Sequence, residues 1–296
     1  MKIAILCFRS RDPDPAVEDL NLVQAAQELG HEALLIPAWE CSIEYREGEQ
    51  VYWKGVVFPQ VDCLIPRARF VEHSETQLHL LRLLEKRFPS LNKADGIAAA
   101  KNKIKTMEIL SRAGLPIPRS FAIEDMSVFA TVVEQLGGYP VVWKAAYGTF
   151  GMDVHLVDSH KKAEEIFNDY FKAQKAMNFL TQEFIEESAG RDLRVFVLDG
   201  EVLASMERQA QAGEFRSNVE LGATARVVEV EASVKNLAIQ AVEALGLDTG
   251  GVDIIYSKRG PLILEVNANA GFKALEEVSG VKVAEALIQA AVRRSR

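Results

Sequence analysis

Apolar residues along this chain follow two rhythms. Short continuous or alternating runs mark strands, and spacing near 3.6 residues marks helices. Lys2–Phe8 is an apolar run that predicts a buried strand. Ala16–Leu29 repeats apolar residues at helical spacing (Val17, Leu20, Val23, Leu29) and stops at Gly30, and Ala33–Ile36 is a second short strand. A strand–helix–strand start predicts an open α/β layer. Val51–Phe58 and Cys63–Pro66 continue it as strands and His79–Phe88 as an amphipathic helix, giving an N-terminal unit over residues 1–92. Pro66-Arg67 closes a strand end, where α/β proteins place ligand contacts. Ala94–Ala113 then predicts one long helix, with Asp95 placed to cap it and Gly114 and Pro116 to end it.

The pattern changes beyond Gly114. Ser120–Ile123, Pro140–Ala145, Asp153–Val157 and Phe179–Ile185 read as strands, with helices over Ser127–Leu136 and Ala163–Ala176. Leu193–Leu198 and Glu201–Glu207 flank Asp199-Gly200, a strong hairpin signal. Ser233–Leu245 and Val283–Val292 are helical. Between them GGVDIIY and PLILEVN flank SKRG as a second hairpin. A loop from Ser257 to Pro261 sets Tyr256 opposite Leu262, Ile254 opposite Leu264 and Val252 opposite Val266. The other face then carries Asp253 opposite Glu265, with Asn267 two residues further on. Like charges directly opposite destabilise a sheet, so the pair calls for a cation. Oxygen ligands suit Mg²⁺, which binds one or two carboxylates plus substrate phosphates. An arbitrary trio of this kind is ordinarily a solvated face, but here it sits among apolar strands.

Composition narrows the class. The 296 residues are 48% hydrophobic and 26% charged, as in ordinary globular proteins. The net charge of −8 argues against a general nucleic-acid surface. Three widely spaced cysteines, Cys7, Cys41 and Cys63, fit neither a disulfide framework nor a zinc site and suit a reducing cytosol. MKIAILCF, with Arg9 and Arg11 following at once, reads as too short and wrongly flanked for a signal peptide, and no apolar run reaches membrane-spanning length.

Within that acidic total, cations gather locally. Lys144 ends an apolar strand, where a lysine is costly to bury without an anion. The loop Gly148-Thr149-Phe150-Gly151 follows at once and offers backbone N–H groups to a phosphate. Arg191, Arg194, Arg208 and Arg216 surround the first hairpin. Strand arginines usually pair with carboxylates, here Glu207 or Asp192, and the alternative is clamping a polyanion. Neither a Walker P-loop nor GxGxxG is present, which disfavours a dinucleotide-dependent dehydrogenase.

Taken in order, MKIAIL, Ile65-Pro66-Arg67, Asn102-Lys103, GGYPVVWKAAYGTFG, QEFIEE, GRDLRVFVLDGEVLASMERQA, GEFRSN, GGVDI and GPLILEVNANAGF resemble the ATP-grasp superfamily, and specifically the RimK-like α-L-glutamate ligases. The resemblance covers nearly the whole chain, and DLRVFV, FRSN, GVDI and LEVN are its most specific parts. It implies an α/β chain of α+β ATP-grasp type: an N-terminal open α/β domain (1–92), a linking helix with a central sub-domain (93–182), and a C-terminal sub-domain with the metal site (183–296). The two α+β sub-domains would sandwich ATP.

By the same resemblance, Lys103 and Lys144 contact ATP phosphates, and Gly148, Thr149 and Gly151 belong to the loop over them. Glu183 and Phe184 line the adenine, Asp192 lies near the nucleotide, and Arg216, Ser217 and Asn218 contact nucleotide or intermediate. Asp253, Glu265 and Asn267 hold Mg²⁺ (or Mn²⁺), and Arg194 and Arg208 stabilise charge on the transferred phosphoryl group. The implied enzyme is a cytoplasmic carboxylate–amine ligase that forms an amide through an acyl phosphate and releases ADP and phosphate. L-Glutamate is the expected amine donor, and the acceptor is a carboxylate on a protein C-terminus or a small molecule. An amino-acid carrier protein or a coenzyme precursor is the alternative acceptor, a homo-oligomer is compatible, and a non-catalytic ATP-binding regulator is the competing class. Phe150, Asp153, Ala270 and Phe272 depart from the family pattern, around the phosphate loop and near the expected acceptor.

Overall fold

Strand β1 (Lys2–Cys7) is buried at every residue after Lys2, as a strand covered on both faces must be. Helix α1 (Val17–Glu28) returns the chain to β2 (Glu32–Pro37), parallel to β1. The computed structural model describes residues 1–8, 16–68, 75–148, 153–173, 175, 178–218 and 222–295. Strands β3 (Cys41–Tyr45), β4 (Glu49–Trp53) and β5 (Val56–Val57) make a separate antiparallel sheet. The expected strand Val51–Phe58 is therefore two, turned at Lys54 and Gly55, where φ is 51° and 78°. Strand β6 (Cys63–Arg67) completes a parallel sheet of order β2-β1-β6, the open α/β layer that the sequence predicts.

Helix α2 spans Glu75–Glu85. The single helix expected over Ala94–Ala113 is two, α3 (Ala94–Lys101) and α4 (Lys103–Arg112). Asn102 breaks it with φ −103° and ψ 108°, and its side chain accepts the Lys105 N–H at 3.0 Å. A short amide side chain competes for backbone N–H groups and so starts a helix more readily than it continues one. Asp95 caps nothing: Lys93 holds the cap position, and the Asp95 carboxylate bonds Arg82.

Strand β7 (Ser120–Ile123), helix α5 (Phe129–Gln135), strands β8 (Val141–Ala145) and β9 (Val154–Val157), helix α6 (His160–Lys172) and strand β10 (Phe179–Glu183) follow. Their strands form an antiparallel sheet of order β7-β10-β8-β9. Phe129, Trp143 and Phe179 pack one face, with Trp143 and Phe179 ring centroids 4.3 Å apart.

Strands β11 (Arg191–Leu198), β12 (Glu201–Gln209) and β13 (Thr224–Val227), helix α7 (Ala232–Ala244), and strands β14 (Thr249–Ser257) and β15 (Gly260–Asn267) build a sheet of order β13-β12-β11-β14-β15. Asp199 and Gly200 turn the β11–β12 hairpin with φ 51° and 77°. Helices α8 (Lys273–Ser279) and α9 (Val283–Arg294) end the chain. Helix α9 buries Leu287 and Ile288 in one cluster with Ile3 and Ile65, so the C-terminus covers the first parallel sheet. No described helix is long and apolar enough to cross a membrane.

Candidate active site

The sheets ending in β9 and β15 face one another across a cleft of about 210 Å³. Strand β8 is buried at all five residues and carries Lys144 into that cleft. The Lys144 ammonium donates to Gln182 Oε1 at 2.8 Å, a neutral partner, and forms no ion pair with a described residue. Burial pushes its pKa down to about 8, against the pull of Glu265 and Asp253 and with the push of Lys103. The break at Asn102 positions that second lysine. It frees the Lys103 backbone N–H to bond Ala146 O at 2.8 Å, and the Lys103 ammonium reaches Gly148 O at 3.3 Å.

The arginines are arranged differently. Arg208 stands opposite Asp192 on β12 and β11, and Arg194 opposite Asp253 on β11 and β14. Arg194 grips Asp253 through two bonds of 2.8 and 2.7 Å. Arg208 grips Asp192 in the same forked way and reaches Asp253 at 2.9 Å. The four side chains form a neutral chain of two acids and two bases, nearly dry throughout. Burial alone would push the Asp253 carboxyl up, but the Arg194 and Arg208 guanidiniums hold it below the usual carboxylate range. Glu207, the other partner expected for these arginines, pairs with Arg226 instead.

The β14–β15 hairpin brings Asp253 opposite Glu265 by an unexpected route. Its turn is tighter than expected, with Ser257 paired to Gly260, Tyr256 to Pro261 and Ile254 to Ile263. A bulge between Asp253 and Ile254 absorbs one extra residue, after which Asp253 pairs with Glu265 and Val252 with Val266. Asn267 lies opposite Gly251 and donates to Asp253 Oδ2 at 3.5 Å. Gly251 is required there, because an added Cβ would meet the Ala270 Cβ at 2.7 Å.

The donor set suits a hard cation. Among the described residues no group of three or more His, Cys, Asp or Glu could hold a metal, so the candidate ligands are two carboxylates and amides. Asp253 is engaged by arginines, while Glu265 has no ion-pair partner among the described residues. Asn269 Oδ1 lines the same cleft, buried and without a hydrogen-bond partner. The unspent Glu265 carboxylate, opposite Asp253 and near Asn267, fits an oxygen-seeking ion such as Mg²⁺.

The other expected residues gather here too. Phe184 stands edge-on to Phe215 with centroids 6.5 Å apart. The Glu183 carboxylate accepts the Arg119 N–H at 2.7 Å and pairs with Arg259, and its backbone N–H donates to Arg119 O at 3.0 Å. Arg216 bonds Glu214 and holds that carboxyl down to about 2, and Ser217 and Asn218 line the cleft beside it. Thr149 and Gly151, with Phe150, lie outside the described residues. Of the family departures, Asp153 accepts from the Tyr170 hydroxyl at 2.6 Å beside Gly148.

Arg67, expected at a ligand-binding strand end, is instead buried against Asp19 at 2.9 Å and stacks on Phe272. The expectations miss Glu18 and Asn269 in the cleft wall, and Asn92 behind it. Asn92 has φ 66°, and its amide bonds Thr249 N and O and Ala268 O, fixing the chain just after Asn267. Only Asn269 left a signal, since NAN repeats asparagine at the strand period. Burial pushes the Cys41 thiol up to about 12 and Cys63 up to about 11, which leaves neither a ready nucleophile.

Residues 100–291 match the RimK-like ATP-grasp domain family. The chain is 36% identical, over 98% of its length, to a probable alpha-L-glutamate ligase of Shewanella pealeana, but spans only 62% of that longer relative. A probable alpha-L-glutamate ligase of Aeromonas salmonicida is 34% identical over 98% of this chain and 95% of its own length. Among solved structures, the ATP-grasp ligase PsnB, complexed with a phosphomimetic variant of a minimal precursor, Mg and ADP, superposes with a TM-score of 0.72. That likeness covers 99% of this chain and 98% of PsnB at 20% identity and shows a shared fold.

Proposed function

This chain belongs to the RimK-like ATP-grasp family, and we propose that it is an ATP-dependent carboxylate–amine ligase that releases ADP and phosphate. One observation carries the reading. Lys144, buried with only a neutral partner among the described residues, shares a cleft with the oxygen ligands Asp253, Glu265 and Asn267. A cation short of an anion and an acid short of a cation are both satisfied by a metal-bound polyphosphate.

The chemistry follows from charge. A carboxylate is a poor acyl donor, because its leaving group would be oxide. Transfer of the γ-phosphoryl group makes an acyl phosphate, and attack by an amine then expels phosphate and leaves an amide. The protein's part is positioning and charge neutralisation. In this reading Lys103 and Lys144 hold phosphate oxygens, with Gly148, Thr149 and Gly151 as the covering backbone. Phe184, the backbone at Glu183, and Asp192, Arg216, Ser217 and Asn218 hold the nucleotide. Arg194 and Arg208 turn from their aspartates toward the charge developing on the transferred group. Mg²⁺, or Mn²⁺ in its place, would be held by Asp253, Glu265 and Asn267 and would supply charge neutralisation at phosphate oxygens.

We further assign residues 1–92, 93–182 and 183–296 as three units with the nucleotide between the last two. The amine donor is L-glutamate, by analogy with the names of the relatives, and the acceptor is a carboxylate on a protein or small molecule. A reducing cytoplasm suits Cys7, Cys41 and Cys63, which no disulfide joins. An ADP-release screen of amino acids against carboxylate acceptors, with mass spectrometry of the product, tests the reading. ADP, phosphate and a product lighter by one water than its parts are expected. AMP with pyrophosphate would assign a different ligase chemistry.

A further inference from the structure

The cleft has two unlike ends, and β15 runs between them. At one end Arg259, in the β14–β15 turn, pairs with Glu183. At the other, beyond Asn267, the wall is made by Asn269, Gly271 and the Glu18 side chain from α1. Eight strand residues separate the ends by roughly 25 Å. Lysines serve the phosphate region, while the far end presents oxygen acceptors. Glu18 is half-buried and has no hydrogen-bond or ion-pair partner among the described residues. Asn269 Oδ1 is buried and equally unpartnered.

Glu18 is held in place rather than merely nearby. Its neighbour Asp19 is buried against Arg67 and accepts from Cys7 Sγ at 3.3 Å. The Arg67 guanidinium lies 5.4 Å from the Phe272 ring centroid, next in sequence to Gly271. One arginine thus fixes the first turn of α1 against the Gly271–Phe272 segment. The fit is close enough that a Cβ on Gly271 would meet Glu18 Oε1 at 3.3 Å.

A carboxylate with no cation repels further carboxylates and phosphates, and an amide oxygen adds a second acceptor. Their complement is a compact cation with several N–H donors. We propose that Glu18, assisted by Asn269, receives the ammonium group of the amino-acid substrate and sets its orientation at this end of the cleft. The proposal rests on the ligase reading for the identity of that substrate. A glutamate in the first turn of a helix also stabilises the helix dipole. That role alone would change stability without changing ligand selectivity.

Calorimetry on the whole chain with saturating AMPPNP and Mg²⁺ separates the two. The probes are L-glutamate and glutarate, which keeps both carboxylates and lacks the ammonium, followed by the other standard amino acids. Glu18→Gln is expected to weaken the amino acid the wild type binds most tightly by about tenfold, as loss of a charge-assisted hydrogen bond would. Glu18→Lys is expected to weaken it further, while glutarate binds the variants no less tightly than the wild type. An unchanged amino-acid affinity in Glu18→Gln, an equal loss for glutarate, or no amino acid binding at all overturns the proposal. Amino-acid binding that depends on Glu18 without ADP release for any acceptor overturns the ligase reading and upholds this assignment. ADP release with an unchanged KM for the amine in Glu18→Gln does the reverse.

Discussion

Lys144 and the arginines 194 and 208 occupy one cleft and are all withdrawn from water, yet their surroundings differ in kind. Each arginine meets carboxylates in forked contacts, and the chain Asp192–Arg208–Asp253–Arg194 is neutral as it stands. Lys144 has an amide oxygen and, among the described residues, nothing charged within ion-pairing distance. The first arrangement is complete without a ligand and holds β11, β12 and β14 in register. The second is incomplete, and its burial cost is recovered only when an anion arrives. Stability is concentrated in the paired cations and binding in the unpaired one. Asp253 belongs to both, because it would serve a metal and already serves two arginines.

The largest expected effect tests that double role. Asp253→Ala leaves Arg194 and Arg208 short of their shared carboxylate, and breaking a buried pair costs about 3–5 kcal/mol. Urea unfolding measures it, and a loss under ~1 kcal/mol would break the distinction between paired and unpaired cations. Glu265→Gln sharpens the comparison. No described base pairs with Glu265, so stability should stay within about 0.5 kcal/mol of wild type. ADP release should nonetheless fall roughly 10²–10³-fold, as when one electrostatic stabiliser of a transition state is removed. Read as sequence the two acids are equivalent, but the structure makes Glu265 the cleaner test of the metal site.

That contrast marks what was legible in advance. The strand–helix alternation, the Asp199-Gly200 hairpin and the opposition of Asp253 and Glu265 follow from local period and turn chemistry. The last emerged despite a misplaced turn, since the bulge at Asp253 compensates for the one-residue shift of register that the tighter turn brings. The break at Asn102 did not emerge, because apolar spacing runs through it unchanged and only cap geometry reveals it. Neither did the partners of Arg194, nor Glu18 and Asn92. Asn92 bonds residues more than 150 positions away, and Glu18 meets Gly271 only through the packing of Arg67. Local pattern carries the charges of a site, and tertiary packing decides which of them are spent.

Lys144→Met addresses the unpaired side. A thioether of similar volume removes the desolvated charge, so stability at pH 7 should rise or hold, by about 1–3 kcal/mol at most. Affinity for AMPPNP should drop about tenfold to a hundredfold, the worth of charge-assisted bonds to phosphate. Unchanged nucleotide affinity by calorimetry would remove Lys144 from the site. A destabilised variant would show that the Gln182 bond, and not a missing anion, is what the lysine is for.

The smallest effect is a pH dependence whose sign follows from the same lysine. Its pKa in the fold is about 8, against 10.5 for an ordinary lysine. Between those values the unfolded chain holds a proton that the folded chain has given up, so the lysine's own contribution to stability rises as pH climbs from about 8 toward 10.5, opposed above about 9 by the raised Cys41 and Cys63 thiols. Nucleotide affinity moves the other way. Bound phosphate needs the protonated lysine, so AMPPNP should bind about tenfold more weakly, or ~1.4 kcal/mol, for each pH unit above 8. In Lys144→Met the nucleotide slope should vanish and the stability slope should lose the lysine's contribution, leaving the downward slope of the Cys41 and Cys63 thiols, while the arginine chain, charged throughout, adds no slope of its own. Nucleotide affinity that stays level from pH 8 to 9.5 in the wild type would mean that Lys144 keeps its proton without a ligand, and the cleft would then hold two kinds of satisfied cation instead of one satisfied and one waiting.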